Sequence, residues 1–407
     1  MYTLVVVLLS SLLSLGNCSG PANVTSHAKS EPIQKKEAAF VQPAAIKTGA
    51  DQTPQYLPLL KNKRVAMVVN QTSLIGKKHL VDTLLSEGIN IKFIFAPEHG
   101  FRGDADAGAT ISNGTDTKTG LPIISLYGKN KKPSADQLKD IDIVVFDIQD
   151  VGARFFTYIS TMHYVMEACA ENNKPLMVLD RPNPTGYYVD GPVLNLKHQS
   201  FVGMHPIPIV HGLTVGELAQ MINGEKWLAG GKNCPVTIIP AKNYTHKSRY
   251  SLPVKPSPNL PNDVAIQIYP SICLFEGTNV SVGRGTETPF QVIGSPFYSK
   301  KDFSFTPKSM PGATNPPHLN QVCYGQKFTA KNTPEKFTLA YLLDFYQNST
   351  NKEKFFNNYF TNLAGTTELK EQIIAGKSEA EIKATWQPAL QAYKKMRKQY
   401  LLYPDFE

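Results

Sequence analysis

The chain has 407 residues but few of the signals that announce common chemistries. It carries five cysteines; beyond Cys18 they are Cys169, Cys234, Cys273 and Cys323, all far apart. No CxxC pair occurs, which excludes a zinc knuckle and a thioredoxin-like motif. The first strand-like run, "VVNQTSLIG", lacks a GxGxxG, so no dinucleotide fingerprint follows it. GxxxxGKS or GxxxxGKT, HExxH and GxSxG are also missing, so P-loop, zincin and serine-hydrolase chemistry have no local signature. No internal repeat is visible. Charged residues make up 18% and apolar residues 42%, a globular balance and not a disordered one. The formal net charge is +9, spread over scattered lysines. That suits polyanionic surroundings, or is simply a solvated lysine-rich surface. No basic stripe alternates with aromatics, so no nucleic-acid partner is expected.

What is present begins at the amino terminus. "MYTLVVVLLSSLLSLGNC" holds an apolar run from Leu4 to Leu15, too short to span a bilayer, that ends in small residues and Cys18. Residues 1–18 read as an export signal of lipoprotein type, with Cys18 as the lipid anchor. A plain secretory signal with an incidental cysteine is the alternative. The expected location is the bacterial cell envelope, periplasmic and lipid-anchored. Residues 19–54 are polar, without period, and read as a flexible tether.

From Arg64 onward, strand-like and helix-like runs alternate. "RVAMVVNQTS", "IKFIFAPEHG", "DIVVFDIQD", "PLMVLDRPNP" and "IPIVHG" read as strands. "HLVDTLLSEG", "SADQLKDI", "TYISTMHYVMEACAENN" and "TVGELAQMINGEKWL" read as helices. This alternation predicts a doubly wound α/β domain with a parallel sheet over 55–235. Beyond Cys234, "PVTIIPA" and "AIQIYPSICLFEG" read as strands and four later segments as helices. They predict a smaller α+β domain over 236–407, closing a cleft.

Ligands of an open parallel sheet bind outside the carboxyl ends of its strands. Here those ends carry reactive types repeatedly. Asn70 ends the first. Glu98, His99 and Arg102 follow the second. Asp147 and Asp150 end the third, with Arg154 and Tyr158 beyond. Asp180, Arg181 and Asn183 end the fourth, and His211 the fifth. His99, His205 and His211 with Asp147 or Asp180 lack metal-ligand spacing, so no metal or cofactor is expected. Carboxylate chemistry remains. Glycoside hydrolysis needs a general acid and a second group as base, nucleophile or charge stabiliser. Glu98 fits the acid by position; a salt bridge to Arg102 is its structural alternative. "YPSICLFEGTNVSVGRGTETPF" is a second dense stretch, holding Glu276, Asn279, Arg284 and Glu287 among glycines. Arg284 can clamp a carboxylate.

Five stretches carry a resemblance: "PEHGFRGDADAG", "FDIQDVGARFFTYISTM", "LDRPNPTGYYVDGP", "IPIVHGLTVGELAQMINGE" and "LFEGTNVSVGRGTETPFQVIGSP". In this order they resemble the exo-β-N-acetylmuramidase family of NamZ type, over Lys61 to the C-terminus. The resemblance implies a Rossmann-like domain joined to a smaller C-terminal domain. It implies release of terminal N-acetylmuramic acid from the non-reducing ends of peptidoglycan fragments, without an organic cofactor. By that resemblance Glu98 is the acid and Glu287 the second carboxylate, with Asp104, Asp150 and Asp180 in reserve. The lactyl carboxylate of such a substrate would be read by Arg284, Arg181 or Arg154. Two rival readings stay open: an envelope lipoprotein that binds muropeptides without cleaving them, and a metal-dependent α/β hydrolase.

Overall fold

A strand covered on both faces must be apolar at nearly every position. Strands β1 (Arg64–Val69), β7 (Ile143–Asp147) and β8 (Leu176–Leu179) meet that condition and form the middle of a seven-stranded sheet. The computed structural model describes residues 44–102 and 113–407. Cys18 and Asp104 therefore lie outside the described residues. A small hairpin, β2 (Leu74–Ile75) and β3 (Lys78–His79), follows β1. The sheet is completed by β4 (Asn90–Ala96), β5 (Gly114–Thr115), β6 (Pro122–Ser125) and β9 (Val236–Ile239). Its order is β5-β6-β4-β1-β7-β8-β9, with only β5 antiparallel. Counting the parallel strands alone gives the 3-2-1-4-5-6 order of a doubly wound fold.

Side chains alternate between the two faces of each strand. Ala66, Val68, Val144, Phe146 and Val178 join one core with helices Tyr158–Glu171 and Val215–Gly224. Val65, Met67, Val69, Val145 and Leu179 join the other with helices Thr53–Leu60 and Leu80–Ser86. The first core runs on without a break into the C-terminal half through Tyr269, Phe275, Phe290, Phe345 and Trp386. That half carries a three-stranded antiparallel sheet of β10 (Val292–Ser295), β12 (Cys323–Lys327) and β11 (Ser304–Phe305).

Local signals explain most elements. Ser134, Thr214 and Ser378 each close a capping box at a helix start. Three readings differ from the structure. "AIQIYPSICLFEG" is the helix Asp263–Ile272 with a 3-10 turn after it; an apolar run has no telling period, and the Asn262 cap decides the outcome. "IPIVHG" makes only single bridges, Val210 to Ala153 and to Asp190, and β9 takes the sheet position instead, past residue 235. Residues 44–54, read from composition as the end of a tether, pack against the sheet. Gly49 donates its N–H to Asp180 O at 2.7 Å. A Cβ there would meet Ile239 O at 2.3 Å.

Several charged groups at the strand ends hold the frame. Arg181 Nε and Nη2 donate to Asp147 at 2.5 and 2.9 Å, with both residues buried. Asp180 accepts from Thr214 Oγ1, Tyr403 OH, Gly216 N and Arg181 N, and burial pushes its carboxyl up to about 6. Arg154, fully buried, donates to the carbonyls of Pro192, Ile207, Leu363 and Ala364 at 2.8–2.9 Å. Removing one partner of a buried pair strands the other charge, at a cost of about 3–5 kcal/mol. Urea denaturation of Asp147→Ala is expected to show a loss in that range; a change within about 0.5 kcal/mol, as at a neutral surface site, would contradict the framing role.

His163 Nδ1 and His205 Nε2 lie 3.0 Å apart in the core, and the His205 ring stacks on Trp227. Burial holds both imidazoles below their ordinary value. A histidine kept neutral when folded takes up its proton on unfolding. Its contribution to stability is whole above a pH of about 6.5 and is lost as pH falls below it. Thermal melts at pH 7 and pH 5 are expected to show a smaller acid-induced loss for His205→Gln than for the parent. Asp180 acts in the opposite sense and cancels, because both proteins carry it. An unchanged difference would refute the assignment.

Candidate active site

Chain geometry at the end of β4 aims one carboxylate outward. Gly100 N–H closes a turn on Pro97 O at 3.0 Å. His99 and Gly100 take φ values of 68° and 77°. The left-handed region is uncommon for a residue with a Cβ, and such strain gathers at functional sites. The turn leaves Glu98 half-buried at the wall of a cleft of about 600 Å³.

Glu98 is held by hydroxyls. Oε1 accepts from Tyr127 OH at 2.9 Å and Oε2 from Thr157 Oγ1 at 2.7 Å. Burial and the Glu98 charge push the Tyr127 phenol well above its ordinary value, so it stays a donor. Tyr158 lines the same wall, with its hydroxyl on Pro256 O at 3.2 Å.

The opposite wall comes from the C-terminal half. Glu276, in the 3-10 turn Cys273–Gly277, accepts from Arg284 Nε at 2.7 Å through Oε1. Its Oε2 faces the Cys273 thiol at 3.5 Å, and burial drives that thiol well up. Gly283 and Gly285, at φ 79° and 78°, bend the chain on either side of Arg284. A Cβ on Gly285 would meet Lys308 O at 2.5 Å, so both conformation and space call for glycine. Tyr359 lines the cleft too, and its phenol is raised first by burial, then by Cys273, Glu276 and Glu98. Phe155, Phe156, Tyr269 and Phe290 make an aromatic floor with edge-on and tilted contacts.

The cleft thus brings together Glu98, His99, Tyr158, Glu276 and Arg284 of the expected residues. The other expected residues that the structure describes do not line it. Glu287 is exposed outside it, and Glu276 stands in the place expected of Glu287. Arg102 is spent on Asp116, with Nη2 at 2.9 Å from both oxygens, and stacks on Phe101. Asn70 and Asn183 close turns through Oδ1, on Thr72 N and Thr185 N. Asp150 accepts from Gly152 N and faces His211 Nε2 at 3.4 Å in the core. Asp147, Asp180, Arg154 and Arg181 serve the frame described above. The Asn279 amide is buried outside the lining. The common cause is that parallel strands end in backbone groups that need polar partners, which a reader of sequence cannot tell from ligand contacts.

Tyr127, Thr157, Cys273 and Tyr359 were not expected. Tyr127 had a signal: the short run "PIIS" is β6, and Tyr127 stands just past its end. Thr157 precedes the helix Tyr158–Glu171, and that place marks it. Nothing local marks Tyr359.

Comparison with known proteins agrees with this architecture. The family model "Exo-beta-N-acetylmuramidase NamZ, N-terminal" matches residues 65–264, and its C-terminal counterpart matches 267–403. The peptidoglycan β-N-acetylmuramidase NamZ of Bacillus subtilis (strain 168) is 39% identical, over 92% of this chain and 95% of that protein. Two crystal structures of DUF1343 family proteins from Bacteroides fragilis NCTC 9343 superpose well. One has a TM-score of 0.82 at 50% identity, covering 89% of this chain and 100% of the other. The second has a TM-score of 0.75 at 30% identity, covering 88% and 99%. The chain belongs to the exo-β-N-acetylmuramidase NamZ family, a family of glycoside hydrolases.

Proposed function

We propose that this protein hydrolyses peptidoglycan fragments, releasing terminal β-linked N-acetylmuramic acid from non-reducing ends. One observation carries the reading: two carboxylates from different halves of the chain, Glu98 and Glu276, line one cleft. Glycoside cleavage needs such a pair around an oxocarbenium-like transition state. Glu98 is the general acid. It gives its proton to the glycosidic oxygen as the bond to the anomeric carbon breaks. Tyr127 and Thr157 fix its orientation. Glu276 faces the positive charge that develops on the sugar ring; water then adds to the anomeric carbon and gives its proton to one of the two carboxylates, which completes the hydrolysis. The aromatic floor offers an apolar face to the sugar. Export to the envelope through residues 1–18, with Cys18 as anchor, fits a polymer found outside the cytoplasm.

The test uses purified protein starting at Ser19 and a chromogenic β-N-acetylmuraminide. Release of chromophore is expected, and free N-acetylmuramic acid is expected from a muramic-acid-ended disaccharide. Glu98→Gln is expected to lose about 10²–10⁴-fold in kcat/KM on a leaving group that needs protonation. No release by the parent protein would sink the reading; near-normal rates for Glu98→Gln would remove Glu98 from the acid role.

A further inference from the structure

Two cysteines that are far apart in sequence meet in the core. Cys169 lies near the end of the helix Tyr158–Glu171, and Cys234 stands just before β9. Backbone hydrogen bonds bring both to one corner of the sheet. Lys174 N–H donates to Cys169 O at 2.9 Å and turns the chain back toward β8. Leu176, the first residue of β8, donates its N–H to the carbonyl of Pro235, the neighbour of Cys234, at 2.8 Å. Asn223 fixes Cys234 from the other side. Its Oδ1 accepts from Cys234 N at 3.0 Å, and its Nδ2 donates to Cys234 O at 2.8 Å.

The Cys169 thiol comes within hydrogen-bond reach of Cys234, and that contact, with burial, pushes it well above its ordinary value. Both residues belong to the main hydrophobic core, at 0% and 3% exposure. A thiol is a weak donor, so two reduced thiols in contact add little to such a core. The other two described cysteines have different neighbours. Cys273 faces Glu276 and Tyr269, and Cys323 leans on Gln321 O. Among the described residues, Cys169 and Cys234 are thus the one pair placed to join.

We propose that Cys169 and Cys234 are linked by a disulfide when the protein folds in oxidising surroundings. Its occurrence in the cell rests on the export reading of residues 1–18, and not on the glycosidase reading. The oxidant is an external disulfide, either a small one or one on an oxidoreductase. One cysteine, as thiolate, attacks it and forms a mixed disulfide, releasing the first sulfur of the oxidant as a thiol. The second cysteine attacks the mixed disulfide, closes the Cys169–Cys234 bond and releases the other sulfur. Two S–H bonds are exchanged for one S–S bond, and the two electrons and two protons leave on the oxidant. Thiols this buried are inert once the core has closed, so the exchange belongs to folding. The bond closes a long loop that contains β8 and the helix Val215–Gly224, which limits the unfolded chain. It also fastens the helix that starts at Tyr158, on the cleft wall, to the edge strand β9.

Refolding tests the pairing without relying on export. Protein beginning at Ser19 is reduced, unfolded and refolded in a mixture of glutathione and its disulfide. Free thiols are capped with iodoacetamide in denaturant, and the protein is digested without reduction. Mass spectrometry is expected to find one linked peptide pair, Cys169 with Cys234, with Cys273 and Cys323 capped. The oxidised protein is expected to melt several degrees above the same sample after reduction, and a Cys169→Ala/Cys234→Ala protein to show no redox-dependent difference. Full-length protein recovered from the envelope of a bacterial host is expected to carry the same link. Capped Cys169 and Cys234 in either the refolded or the envelope protein, or a link between any other pair, overturns the proposal. A link that forms on refolding in a protein recovered from the host cytoplasm supports the pairing and contradicts the export reading alone.

Discussion

One guanidinium holds the two walls of the cleft in register. Arg154 leaves the segment after β7 and enters the core with no carboxylate opposite it among the described residues. It is neutralised instead by carbonyl dipoles, two from residues Pro192 and Ile207 and two from Leu363 and Ala364. The latter pair ends the short helix Phe360–Ala364, where unpaired carbonyls point along the axis. Burial pulls the guanidinium down to about 9, still charged at neutral pH. Gly365 completes the arrangement: φ is 75°, and a Cβ would meet Arg154 Nη2 at 2.7 Å. Tyr359 and Leu363 at the cleft are placed by this contact, and Glu98 and Thr157 lie on the Arg154 side. A buried cation thus ties residue 154 to the carbonyls of Leu363 and Ala364 beside the cleft.

This dependence explains what could be read in advance. The doubly wound sheet was legible, because strands buried on both faces write long apolar runs and helices write caps. Thr214 and Ser134 mark helix starts as plainly in sequence as in space. Glu98 was legible too, since a carboxylate after a buried strand and a proline has few other places to be. The β9 position and the helix Asp263–Ile272 were not, because short apolar segments carry no period. Which second carboxylate lines the cleft was not legible for a different reason. Glu276 and Glu287 share one loop region, and which of them faces inward depends on the 3-10 turn after residue 272 and on the bends at Gly283 and Gly285. Those are tertiary facts.

The same reasoning sorts the arginines. Arg154, Arg181 and Arg284 are all buried or partly so, and residue type alone makes them equal candidates for an anionic ligand. Their partners separate them. A guanidinium saturated by carbonyls or by one carboxylate is a fastening. The Arg284 guanidinium, at the cleft wall, is saturated only in part. Polar residues at strand ends follow the same division: Asn70, Asp147, Asp180 and Asn183 satisfy the frame, while Glu98 is left with surface toward the cavity, as is Glu276 in its 3-10 turn.

The central claim is that Glu98 works with Glu276 and not with Glu287. Steady-state kcat/KM of Glu276→Gln and Glu287→Gln on one chromogenic muraminide decides it. The account predicts a loss of about 10²-fold or more for Glu276→Gln and a rate within about threefold of the parent for Glu287→Gln. The reverse pattern, with Glu287→Gln inactive and Glu276→Gln near normal, would contradict it.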